Sequence, residues 1–259
     1  MLTGDEVVNR KGTNSCKYDI KENELPMWVA DMDFHVLPEI KEAIINKANI
    51  DAYGYVKTTE TYFDAYIMWW RKHHHLELKK EWLIFSTGVV ASIDSILKRV
   101  ARPGDEVLLF TPVYNTFYNC IKNNGLLVAS SELIRIGNTF KIDFIYLENE
   151  LKKDSVKVCI LCNPHNPTGN IWSKDDIYKV AKLCKENNVL LIADEIHCDI
   201  TDPSYEYVPT LIAAEEYKDN IITLLSPTKV FNLAGLQTSI IVCPNLSLFR
   251  LIEKGVEQD

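Results

Sequence analysis

No stretch of the chain stays apolar for the roughly 20 residues that a membrane-spanning helix needs, so no membrane role is read from it. Nor is there a basic tract: 28 lysines and arginines stand against 36 aspartates and glutamates, a net charge of −8. Nucleic acid is excluded as an expected partner, and small metabolites fit better. Internal repeats and low-complexity segments are missing, which leaves no solenoid or flexible linker to consider. The opening Met1–Glu6 is polar and acidic rather than an apolar leader, so the expected setting is the cytoplasm.

A disulfide framework is absent too. The seven cysteines (16, 120, 159, 162, 184, 198 and 243) are an odd number, mostly inside apolar or helical stretches, as reduced thiols would be. Cys159 and Cys162 form a lone CxxC, but on a strand positions i and i+3 point to opposite faces. With no second CxxC and no suitable histidine pair, they read as buried core thiols. The run His73-His74-His75 fans out over different faces of a helix and reads as a solvated helix end. No metal site is expected.

Hydrophobic residues make up 47% of the 259, ample for a sizeable core. Helical spacing covers Val36–Asn49, with Pro38 in the first turn, and Glu60–His74, with Thr59 as N-cap. From Leu83 the rhythm is strand, helix, strand: Leu83–Ser86, Val89–Val100, then Glu106–Phe110 after the turn Arg102-Pro103-Gly104-Asp105. Helices at Val113–Asn123 and Asp175–Asn187, a strand at Leu126–Ala129 and a last strand at Ser239–Cys243, at or near the sheet edge, continue it. A helix at Ser247–Gly255 closes the pattern. Such alternation predicts an α/β fold, a mainly parallel sheet between two layers of helices.

Three apolar runs end in polar punctuation. Val158–Cys162 leads to Asn163-Pro164-His165-Asn166-Pro167-Thr168-Gly169, Val189–Ala193 to Asp194-Glu195-Ile196-His197, and Ile221–Leu225 to Ser226-Pro227-Thr228-Lys229. The carboxyl ends of parallel strands are where open sheets bind ligands, so these runs read as one active site. A lysine, an aspartate and an asparagine delivered there suit pyridoxal 5′-phosphate, which needs an amine for a Schiff base, a carboxylate for the pyridine nitrogen and a donor for the ring hydroxyl.

With Met27–Phe34, Tyr53-Gly54-Tyr55, Thr87–Val90, Thr111–Tyr114 and Phe231–Ser239 in the same order, the chain resembles the fold type I pyridoxal-phosphate enzymes of the class I and II aminotransferase superfamily. Within it, the chain resembles the cystathionine β-lyase, or cysteine-S-conjugate β-lyase, branch. The resemblance implies a three-layer sandwich, the transferase-like large domain over 46–245, preceded by small-domain material in 1–45. Residues 246–259 would start a C-terminal region that is cut short, leaving the small domain incomplete and no arginine to grip the substrate carboxylate.

The resemblance also implies roles. Lys229 is the Schiff-base lysine and catalytic base, although an ordinary lysine with a pKa of about 10.4 must be adapted to that work. Asp194 pairs with the pyridine nitrogen, Asn166 donates to the ring oxygen, and Tyr114 stacks on the ring or packs in the core. The amides opening the helix at Gly88-Val89-Val90, with the hydroxyls of Ser226 and Thr228, hold the phosphate. His197 serves the ring hydroxyl or Asp194 directly, or packs behind them. Tyr55 reaches the neighbouring subunit's phosphate in a homodimer. The implied reaction is β-elimination from cystathionine or a related L-cysteine thioether, giving thiol, pyruvate and ammonia. An aminotransferase on the same scaffold, or a truncated remnant without catalysis, are the alternatives.

Overall fold

The computed structural model describes residue 6 and residues 8–257, so most of the acidic opening Met1–Glu6 lies outside the described residues. The chain forms two compact units, Met1–Lys57 with Pro227–Gln237, and Thr58–Ser226 with Thr238–Asp259.

The first unit is largely irregular and held by polar contacts. Among its described residues the one α-helix, α1 (Pro38–Ala48), has proline at its start and buries none of its residues. Lys17 is its buried cation: Nζ meets Asp33 Oδ2 at 2.7 Å and donates to the Asp31 carbonyl at 2.9 Å. Arg10 bonds Asp31 Oδ2 at 2.8 Å. The hydrogen bond from Lys17 holds the Asp33 carboxyl below the usual carboxylate range. Charge pairing of this kind stands in for an apolar core.

The second unit opens with α2 (Glu60–His74), then β1 (Leu83–Ser86), α3 (Val89–Val100), β2 (Glu106–Thr111), α4 (Thr116–Asn123) and β3 (Leu127–Glu132). A small hairpin of β4 (Ile134–Ile136) and β5 (Thr139–Lys141) leads to α5 (Phe144–Leu151), β6 (Val156–Cys162), α6 (Lys174–Glu186) and β7 (Leu190–Asp194). The rest is α7 (Thr210–Ala213), β8 (Ile221–Leu225), β9 (Ser239–Val242) and α8 (Leu246–Val256). Seven strands form one sheet in the order β1-β9-β8-β7-β6-β2-β3. It is mainly parallel; β9 alone runs against its neighbours, β1 and β8, and lies one strand in from the edge.

Period-two alternation sorts the strand side chains between two cores. Leu108, Phe110, Cys159, Leu161 and Leu191 join α2, α5, α6 and α7 on one face. Val107, Leu109, Val158, Ile160, Cys162 and Ile192 join α3, α4 and α8 on the other. Helix, sheet and helix thus make the three layers expected, and Cys159 and Cys162 fall on opposite faces. Burying each large side chain contributes about 1.5–3 kcal/mol.

Helix starts carry their own signals. Ser173 and Asp176 form a reciprocal capping box on α6, and Asn245 and Asp143 cap α8 and α5. Thr59 precedes α2 as expected, but its hydroxyl bonds Thr61 instead of capping. Helix α4 starts at Thr116, three residues later than its spacing predicts, because Val113–Asn115 turn out of β2, with Phe117 N–H on the Tyr114 carbonyl. Among the described residues no helix is long and apolar enough to cross a membrane.

Candidate active site

In the second unit, the carboxyl ends of β1, β8, β7, β6 and β2 share one edge of the sheet, because these strands run in the same direction. In sheet order that edge presents Gly88, Ser226, Asp194, the Asn163–Asn170 loop and Tyr114. Seven of the residues picked out by sequence, Gly88, Val89, Val90, Tyr114, Asn166, Asp194 and Ser226, therefore stand at or directly after that edge. His197 follows β7 by three residues and is half-buried.

Asp194 closes β7 and is only 4% exposed. Its Oδ1 accepts the Ile196 amide at 3.1 Å, turning the chain away after the strand. Next to it on β6, the Cys162 thiol is pushed well above its usual pKa by burial and by the charge of Asp194. A carboxylate at a strand end in such a dry setting suits a cationic ring nitrogen.

Gly88 precedes α3 at φ 154 and ψ 156, a conformation that side chains with a Cβ rarely adopt, and a Cβ there would meet nothing within 4 Å. Open space therefore adjoins the start of a twelve-residue helix with no side-chain cap, which leaves its first amides suited to an anion. Ser92 and Ser239 brace this turn. Ser92 Oγ donates to the Gly88 carbonyl at 3.0 Å, and Ser239 Oγ to the Ser86 carbonyl at 3.3 Å. Ser226 is buried, and its hydroxyl donates to the Thr238 carbonyl at 2.7 Å.

The loop after β6 is built around His165, to which sequence reasoning gave no role. Its ring is 2% exposed, and Nε2 lies 2.9 Å from the Pro112 carbonyl; since a carbonyl only accepts, Nε2 carries the proton. Burial lowers the imidazole pKa, so the ring is neutral. Backbone bonds from His165 N–H to the Asn170 carbonyl and from Gly169 N–H to the His165 carbonyl, both 2.7 Å, close the loop that carries Asn166. Asn163, fully buried, accepts the Trp172 amide at 3.2 Å. Tyr114 is 37% exposed and meets Phe117 edge-on.

Thr228, Lys229 and Tyr55 belong to the first unit. Lys229 Nζ donates to the Ala30 carbonyl at 3.0 Å. Just beyond it Asn232, at φ 56, accepts the Met32 amide and donates to the Met32 and Phe34 carbonyls. The Met27–Phe34 and Phe231–Ser239 motifs, 200 residues apart for Met32 and Asn232, are thus joined directly. Thr228 is buried and its carbonyl accepts the Leu233 amide at 2.8 Å, while Tyr55 is fully exposed.

The aminotransferase class I and II family matches residues 23–256. Cystathionine beta-lyase PatB of Bacillus subtilis is 36% identical over 248 residues, covering 93% of this chain, and the chain spans 64% of that relative's length. Among solved structures, cystalysin from Treponema denticola, which contains pyridoxal 5′-phosphate, superposes with a TM-score of 0.94 at 30% identity, over 100% of this chain and 68% of its own. The pyridoxal-phosphate-bound C–S lyase of Staphylococcus hominis gives 0.90 at 34% identity, over 95% and 64%. With the family model matched across residues 23–256, the chain belongs to the aminotransferase class I and II family.

Proposed function

We propose that this protein binds pyridoxal 5′-phosphate and is a C–S β-lyase that cleaves cystathionine or a related L-cysteine conjugate to thiol, pyruvate and ammonia. The observation that carries the proposal is the buried Asp194 carboxylate on the same strand-end edge as the uncapped start of α3. Its support from relatives is the 36% identity to a cystathionine beta-lyase and the likeness to a pyridoxal-phosphate-bound C–S lyase and to cystalysin.

When bound, the cofactor supplies an electrophilic carbon and a ring that takes up the electron pair released at the substrate Cα. Asp194 keeps the ring nitrogen protonated, which buried carboxylate charge favours. Asn166 donates from its side-chain amide to the phenolic oxygen, and Tyr114 covers one ring face. The Val89 and Val90 amides bind the phosphate at the dipole-favoured helix end. Thr228 adds its hydroxyl, and Ser226 does so by rotating its own away from Thr238. Lys229 would hold the cofactor through Nζ in place of its bond to the Ala30 carbonyl, and its amine, freed when the substrate's amine takes its place, would take the Cα proton. Loss of that proton lets the Cβ–S bond break with the electron pair leaving on sulfur. His197 touches the ring hydroxyl or Asp194, or supports them from behind. Tyr55, exposed here, serves the phosphate of a second copy in a homodimer. A reducing cytoplasm suits the seven free thiols.

The second reading, an amino transfer, is favoured by the family match itself, since the cofactor contacts are common to both reactions. Purified protein with pyridoxal phosphate and L-cystathionine separates them. Thiol and pyruvate released without any keto acid support the lyase, whereas amino transfer to 2-oxoglutarate exceeding that release supports the aminotransferase.

A further inference from the structure

His74, Cys198 and Asp199 have no part in the chemistry above, yet they converge within the second unit. His74 ends α2, and the other two follow His197 on the turn after β7. This corrects the expectation for the histidine run. His73 does stack on Trp69, but the His74 side chain is 9% exposed and turned inward. Its Nε2 lies 2.7 Å from Asp199 Oδ1, Cys198 Sγ lies 3.7 Å from Asp199 Oδ2, and one donor atom from each residue falls within 4.8 Å of the others.

We propose that this trio is a binding site for a borderline-soft divalent metal, zinc foremost. Imidazole nitrogen, thiolate and carboxylate are the zinc donor set, and bonds of about 2.0–2.3 Å in a tetrahedron put neighbouring donors about 3–4 Å apart. With the donor atoms within 4.8 Å of one another, the widest pair must close by about an ångström to reach that. Calcium and magnesium, which take oxygen donors, do not fit a sulfur and a nitrogen.

Charge and surroundings agree with the assignment. A dication held by one thiolate, one carboxylate and a neutral imidazole carries no net charge, the form most compatible with burial. Trp69 Nε1 donates to Asp199 Oδ1 at 3.0 Å, which fixes the carboxylate from outside and leaves Oδ2, on the thiol side, to bind. Asp199, 14% exposed, provides the entry side. On binding, the S–H bond breaks and its proton passes to solvent, the imidazole keeps its proton on Nδ1 so that Nε2 is free to bind, and metal–sulfur and metal–nitrogen bonds form. Water takes the remaining tetrahedral position. Such a centre clamps the end of α2 to the turn that follows Asp194.

The test is equilibrium dialysis of chelator-treated protein against zinc chloride, with bound metal counted for the parent, Cys198→Ser, His74→Gln and Lys229→Ala. Circular dichroism of each metal-free protein establishes that it is folded. One equivalent of zinc in the parent and Lys229→Ala, weakened more than about tenfold in both ligand variants, is the expected result, accompanied by a zinc-dependent rise in melting temperature. Should Cys198→Ser fail to fold, His74→Gln decides. No stoichiometric zinc in the folded parent, or zinc that every folded variant retains, overturns the proposal and leaves His74 and Asp199 as a hydrogen-bonded pair only. Because Lys229→Ala does not touch the trio, this outcome is independent of whether the cofactor binds.

Discussion

His165 donates from Nε2 to the Pro112 carbonyl at 2.9 Å, and this single bond ties the loop that carries Asn166 to the one that carries Tyr114. The His165 ring is buried, whereas Pro112 is exposed. Removing the donor loses one neutral hydrogen bond, worth about 0.5–1.5 kcal/mol net.

His165→Phe is therefore expected to lose about that much stability in urea unfolding. His165→Gln, whose side-chain amide reaches the place of Nε2, should recover part of it. With pyridoxal phosphate added, the Phe variant should also bind the cofactor more weakly than the Gln variant. Equal stability of parent and His165→Phe would show that the bond does not brace the loops.

Asn232 supports the lysine loop in a comparable way. Its Oδ1 accepts the Met32 amide at 3.1 Å from a left-handed backbone at φ 56. Asn232→Gly keeps the backbone conformation but removes the side-chain bonds, whereas Asn232→Ala removes the bonds and adds a backbone penalty of about 1 kcal/mol. Hydrogen exchange of the peptide holding Met32 should quicken in both variants, with overall stability lower in Ala than in Gly. Unchanged exchange at Met32 would contradict the contact.

Much of this was legible in the chain because its causes are local. The bounds of β1 and α3 follow from apolar periodicity between Trp82 and Ala101, and the opposite facing of Cys159 and Cys162 follows from the pleat. The strand-end positions of Asn166 and Asp194 were readable for the same reason. The hairpin β4–β5 and helix α5 were not, since three-residue strands whose side chains are largely exposed have no strong alternation. His74 and Asp199 are 125 residues apart, and His165 and Pro112 are 53 apart. Nothing near either histidine in sequence announces its partner; only packing makes them meet.

Glu195 gives the fold a defined pH response. It is fully buried, with Oε1 accepting the Thr210 amide at 2.7 Å, and burial pushes its carboxyl up to about 7 from an ordinary 4.5. The folded protein therefore holds this proton more tightly than the unfolded chain. Its contribution falls as pH rises from about 4.5 to about 7 and is flat above, a loss of about 3 kcal/mol. Glu195→Gln keeps an acceptor for Thr210 and has no charge to bury, so it should match the parent near pH 5 and exceed it by up to about 3 kcal/mol at pH 8. Chemical unfolding at the two pH values measures this; a parent-minus-variant difference that does not change with pH would contradict it.

The proposed function depends most directly on Lys229. Borohydride reduction of the protein in pyridoxal phosphate, followed by peptide mass mapping, records which lysine holds the cofactor, with Lys229→Ala as control. A pyridoxyl adduct on the peptide containing Lys229, formed at stoichiometric cofactor and missing from the variant, is the expected result. Labelling spread over surface lysines, or an adduct undiminished in Lys229→Ala, would contradict the assignment of this chain as a pyridoxal-phosphate enzyme acting through Lys229.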